Sequence, residues 1–62
     1  MKTTIINRSD RIEAYRGNDL IGYVENDQLF AIDAKGYAIM IGEISHRVEI
    51  AGKLDAWLSR SK

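Results

Sequence analysis

Four polar clusters break the first 36 residues at short, regular intervals, and this punctuation restricts the fold more than any other feature of the chain. Asn7-Arg8-Ser9-Asp10, Arg16-Gly17-Asn18-Asp19, Asn26-Asp27 and Asp33-Ala34-Lys35-Gly36 separate segments rich in Ile, Tyr, Val and Phe. Short β-type runs divided by turn residues are the pattern of an antiparallel meander. The last cluster is the most specific. Its Asp opens a type I turn, and its Gly supplies the left-handed residue that closes a three-residue loop with a bulge. Gly17-Asn18 likewise offers two residues that tolerate positive φ.

Turn lengths set register, and register decides which side chains share a face. Two-residue loops at Gly17-Asn18 and Asn26-Asp27 and a three-residue loop at Ala34 to Gly36 place Tyr23 opposite both Ile12 and Phe30, and Phe30 opposite Met40. One face then gathers Ile12, Ala14, Ile21, Tyr23, Phe30, Ile32, Ala38 and Met40, joined by Ile5 if residues 3–7 form a first strand. The other gathers Glu13, Tyr15, Leu20, Gly22, Val24, Leu29, Ala31, Tyr37, Ile39 and Ile41. A one-residue offset near the first turn exchanges the faces of residues 12–16 and leaves the later strands unchanged. Gly22 and Gly42, inside strands, mark close backbone approach or bulges.

After Ile44 the period lengthens from two to about 3.6. Ser45 is a favourable helix cap, and Ile50, Ala51, Leu54, Trp57 and Leu58 fall in one stripe centred on Leu54. The spacing predicts strands over about 3–44 and a helix over about 45–60. An alternative continues the last strand through Ile44, His46, Val48 and Ile50, but no turn signal follows Ile50. The fold class is α+β: an antiparallel meander of four to five strands with one C-terminal helix packed on one face. The predicted core sets Ile12, Ile21, Tyr23, Phe30, Ile32 and Met40 against Ile50, Leu54, Trp57 and Leu58, with Trp57 the largest contributor.

Sixty-two residues make one domain, and a domain of that size buries only about 60% of its unfolded surface. There is no cysteine to staple it, so self-association is an ordinary way to bury more apolar area. A reducing cytoplasm is the default location. The polar opening, Met1-Lys2-Thr3-Thr4, carries no signal-peptide core, and no apolar run approaches the roughly 18 residues of a membrane span.

Catalytic chemistry finds little to work with. His46 is the only histidine, which excludes a His-pair metal site or a Cys-His dyad within one chain. Ser45 and Ser59 have no base nearby in sequence. Glu25, Asp27 and Glu43 gather at one end of the meander near Asp10, without the spacing of a calcium loop. The five glycines are too scattered for a phosphate cradle. No enzyme, cofactor or metal site is expected.

Nine basic and nine acidic residues cancel, which removes any global pull toward polyanions. Arg8, Arg11, Arg16, Arg60 and Lys62 are the candidate nucleic-acid contacts. A sheet followed by a helix resembles, in element order, the arm-binding domains of tyrosine integrases, and that resemblance implies a DNA-binding accessory role with the sheet in the major groove. Such a face presents Arg, Lys and Asn, whereas the face expected to stay open here is aliphatic. Tyr15, Tyr23, Phe30 and Tyr37 are not expected to share one face as a base-stacking platform requires.

One helix shields one face of a sheet. The other must meet water, a second copy or a partner. The expected role is therefore a non-enzymatic protein-interaction module, homodimeric, acting as an inhibitor or adaptor of a larger assembly of the kind that phages and other mobile elements encode. Its interface is expected at Leu20, Val24, Leu29, Tyr37, Ile39 and Ile41.

Overall fold

The computed structural model describes residues 3–60. Five strands, β1 (Thr3–Asn7), β2 (Ile12–Arg16), β3 (Asp19–Glu25), β4 (Gln28–Ile32) and β5 (Ala38–Glu43), precede one helix, α1 (Glu49–Arg60). The strands lie in sequence order in one antiparallel sheet, so the α+β meander expected from the turns is the fold. Residues 3–7 do form the first strand.

The turns work through the residues that predicted them. Asn26 and Asp27 both take positive φ, 53° and 63°, as a tight two-residue hairpin loop requires. Asp33 accepts hydrogen bonds on Oδ1 from the amides of Lys35 and Tyr37, each at 2.9 Å. Gly36 sits at φ 90° and donates its amide to the Asp33 carbonyl at 3.0 Å. The consequent register pairs Tyr23 with Phe30 and Phe30 with Met40.

The first hairpin departs from expectation. A bulge between Ala14 and Tyr15 pairs Ala14 with Gly22 but Tyr15 with Leu20, so Tyr23 faces Glu13 and not Ile12. An extra residue in one strand inverts the faces beyond it. Glu13 and Tyr15 therefore join Tyr23 and Phe30, while Ile12 and Ala14 join Val24 and Leu29.

The helix covers the face opposite to the predicted one. The core is Ala14, Val24, Leu29, Ala31, Ile44, Ile50 and Leu54, with Ile5, Ile12, Ile21, Ile41 and Trp57 packed around it. The reason is volume. Ala14, Gly22 and Ala31 are cross-strand neighbours in one row, a trough of small residues along which a helix can approach the backbone. Leu54 occupies it: a Cβ on Gly22 would lie 2.7 Å from Leu54 Cδ2 and 2.6 Å from the Phe30 carbonyl oxygen. The row of Tyr23, Phe30 and Met40 would hold the helix too far from the sheet. Of the predicted core, Tyr23, Phe30 and Met40 lie on the uncovered face, and Ile50 and Leu54 contribute the fully buried anchors of the helix. Complete burial of these two is worth roughly 1.5–3 kcal/mol each, and Trp57 packs at the margin.

The helix begins later than predicted, at Glu49, because Ser45–Val48 form a bend and turn. Glu49 organises that entry by reaching back. Its Oε2 accepts the amides of His46 at 3.0 Å and Ser45 at 3.3 Å, the carboxylate half of a capping box with His46 at the cap position. Farther along α1, Asp55 accepts from Arg16 on β2 and from Thr3 Oγ1 on β1, which ties the helix to that side of the sheet.

Candidate functional site

A single row crosses all five strands on the uncovered face: Ile6, Glu13, Tyr23, Phe30 and Met40 are successive register partners. At its centre the Tyr23 and Phe30 rings stack with centroids 5.0 Å apart and planes 20° from parallel. Tyr15 lies on the same face and donates its hydroxyl to Glu13 Oε1 at 2.9 Å. Of the four aromatic residues not expected to share one face, Tyr15, Tyr23 and Phe30 thus do share one. The bulge in the first hairpin brings Tyr15 there.

Glu13 is the one buried charged side chain among the described residues, 7% exposed. Arg8 Nε donates to its Oε1 at 2.9 Å, and Arg11 donates to its Oε2 from Nε at 3.0 Å and from Nη2 at 2.7 Å. Arg11 also lies over the Tyr23 ring, Cζ 4.5 Å from the centroid, a cation–π contact. Hydrogen bonds from Arg8, Arg11 and Tyr15, in that order of effect, hold the Glu13 carboxyl down from 4.5 to about 2. The carboxylate has both oxygens occupied by donors and a strongly depressed pKa, the opposite of a poised general base. It serves to fix two guanidinium groups at the rim of an aromatic surface.

The predicted interface residues scatter. Val24 and Leu29 are buried beneath α1 and Ile41 packs half-buried against the same core, because the helix chose their face, while Leu20, also half-buried, is the partner of Tyr15. Tyr37 and Ile39 are exposed, at 68% and 41%, and they are joined by Met40 at 51% and Val48 at 86%. Three of these four exposed large hydrophobic residues lie on β5 or immediately before it. Sequence reasoning assigned Tyr23, Phe30 and Met40 to the interior and so missed them as surface. The signal that could have found them is the pair of small residues Gly22 and Ala31, which Ala14 extends through the bulge.

The candidate nucleic-acid residues do not assemble. Arg8 and Arg11 stand at the first turn and are engaged by Glu13, whereas Arg16 is on the helix side with Asp55. Arg60 is in the last helical turn, and Lys62 lies outside the described residues. His46 and Ser45 are exposed in the turn before α1, and Ser59 is exposed on the helix. Among the described residues no group of His, Asp and Glu is arranged to hold a metal ion. Glu25 and Glu43 instead flank Gln28 across three strands. An open groove of about 800 Å³ runs between Trp57 and Leu58 of the helix and Leu20, Ile21, Ile32 and Lys35. No described helix is long and apolar enough to cross a membrane.

The fold and surface define a small α+β meander with one aromatic face left open. No family model, curated protein or solved structure matches the chain.

Proposed function

We propose that this protein is a non-enzymatic, cytoplasmic interaction module that self-associates and uses the open face of its sheet to hold a larger protein partner as an inhibitor or adaptor. One observation carries the reading: the Tyr23–Phe30 stack, with Tyr15 beside it and Met40 exposed at the end of the row, stands on the face the helix leaves bare. Aromatic residues, Met and Arg are the types enriched at interface centres. Arg8 and Arg11 border the patch already fixed in place by Glu13, so little ordering entropy remains to be lost when they meet acidic groups on a partner.

The test compares variants that keep the fold. Phe30→Asp changes the centre of the open face, and Ser59→Ala changes an exposed helix residue on the other side. A partner that co-purifies with the wild-type chain and with Ser59→Ala but not with Phe30→Asp supports the reading. Equal retention by all three places the contact elsewhere.

DNA accessory binding is the alternative. The shared face of Tyr15, Tyr23 and Phe30 favours it more than the sequence did, since aromatic sheet faces stack unpaired bases. The charges favour it less, because Arg8, Arg11 and Arg16 are paired with carboxylates.

A further inference from the structure

β5 closes one side of the sheet and has a neighbour on one edge only. Its internal pairing fixes which backbone groups point outward. The Asp33 amide donates to the Tyr37 carbonyl at 2.9 Å, so position 37 turns its backbone toward β4. Hydrogen-bonded and non-hydrogen-bonded pairs alternate along an antiparallel ladder. Ile39, partner of Ala31, is then also turned inward. Ala38 and Met40 present both N–H and C=O to the outside.

Exposed edges are usually blunted by charge, Pro, shortness or a covering element. β1, at the opposite edge, is blunted by composition: Thr3, Thr4 and Asn7 are polar, and Ile5 and Ile6 are half-buried. β5 has no such protection over residues 38–40; the bulge that leaves Ile41 unpaired and the charge of Glu43 come after them. It reads Ala38-Ile39-Met40-Ile41-Gly42-Glu43, and its exposed Ile39 and Met40 lie on opposite faces of the sheet. Both faces of this strand are therefore apolar and wet.

We propose that β5 is a homodimer seam, at which a second copy adds its own β5 antiparallel about a two-fold axis through Ile39. The inference rests on the self-association part of the reading above and specifies its route. The occupant is a second copy because the edge is complementary to itself. With Ile39 opposite its twin, the outward backbone groups of Ala38 in one copy meet those of Met40 in the other, twice, and the small Ala38 side chain stands beside the long Met40 side chain. The antiparallel arrangement brings Lys35, exposed in the turn before one copy's strand, to the end of the seam where the other copy's strand finishes in exposed Glu43. A parallel arrangement would instead place like charges together. Isologous pairing of this kind closes at two copies. The result is one ten-stranded sheet whose two open faces lie on the same side.

Cysteine scanning tests the register directly, because the chain contains no cysteine of its own. Ile39→Cys puts two thiols in a non-hydrogen-bonded pair, with Cα atoms about 4.5 Å apart and within disulfide reach. Val48→Cys, at the most exposed of the four exposed large hydrophobic positions, reports random collision. Under mild oxidation Ile39→Cys should form covalent dimer at least about tenfold faster than Val48→Cys, and Ala38→Cys, whose twin lies on a diagonal about 7–8 Å away, should be slower than Ile39→Cys. Equal rates at positions 39 and 48 overturn the proposal.

Sedimentation of Ala38→Pro is the second arm. That substitution removes an outward N–H and none used within the sheet, so helical circular dichroism should hold while the dimer constant weakens by about tenfold or more, the loss of roughly 1.4 kcal/mol. If the wild type is dimeric and Phe30→Asp dissociates it while Ala38→Pro does not, self-association stands and the β5 seam falls. A wild-type chain that stays monomeric at about 1 mM, weaker than any specific contact argued here, overturns both.

Discussion

Leu54 is seated directly over Gly22, so close that any Cβ at position 22 would fall 2.7 Å from its Cδ2. That contact selects the face the helix covers, and the Phe30 carbonyl 2.6 Å away on the same side leaves no route for relief. Gly22→Ala should therefore destabilise the fold by about 1–3 kcal/mol, the usual cost of overpacking. Gly52 provides the internal control. Nothing lies within 4 Å of a Cβ there, and an exposed helical glycine gains about 0.8–1 kcal/mol on becoming alanine. Urea denaturation of the two variants should give shifts of opposite sign.

Leu29 and Met40 distinguish the two faces. Leu29 is fully buried under α1, so Leu29→Asp places an unpaired charge in the core and should unfold a domain of this size. Met40→Asp changes an exposed side chain and should leave the helical circular dichroism intact. If Met40→Asp also unfolds the chain, the face of Tyr23 and Phe30 is interior, and the proposed working surface is lost with it.

How far the sequence leads can be followed residue by residue. Asn26-Asp27 and Asp33 to Gly36 have side chains that demand particular φ values, so those two turns and the alignment of Tyr23, Phe30 and Met40 were readable. The bulge opposite Ala14 and Tyr15 leaves Ile21 as the extra residue, beside Gly22, and a glycine inside a strand signals a bulge or a close approach without telling which strand faces it inverts. Without it, Ala14 does not come into line with Gly22 and Ala31, and the trough that seats Leu54 is incomplete. The working face was inverted for that reason. Strong apolar character on both faces of β3 and β4 made either side a plausible core, and the choice was made by shape in three dimensions, which periodicity does not encode. The edge character of β5 was legible as a final strand before a helix, but its outward backbone groups follow only from the observed Asp33–Tyr37 bond.

Duplex DNA should bind no more tightly than the non-specific range of roughly 10⁻⁴–10⁻⁶ M, with steep salt dependence. Arg8, Arg11 and Arg16 each have a carboxylate partner within the fold, and releasing them to phosphate would leave Glu13 buried without its donors. Fluorescence anisotropy at low salt is the measurement. Saturable, sequence-dependent binding below that range would favour the DNA reading over the protein-interaction one.

Acid sensitivity should follow from Glu13. Its carboxyl is held from 4.5 down to about 2, chiefly by the Arg8 hydrogen bond, then by Arg11 and Tyr15. A depressed carboxylate pKa means that the folded state binds the proton less well than the unfolded chain, so the associated stability is fully present above about 4.5 and drains away as pH falls toward 2. Glu49 shifts in the same direction, chiefly through the His46 amide, and it adds to the loss as pH falls below about 4.5. Glu13→Gln should lower stability at neutral pH by leaving Arg8 and Arg11 without their charge partner, and it should flatten the decline between pH 4.5 and 2 without abolishing it, since Glu49 remains. Thermal unfolding midpoints of the two chains across that range are the check. Parallel curves would mean that the two arginines do not hold Glu13 in solution, and that the rim of the aromatic face is not preorganised.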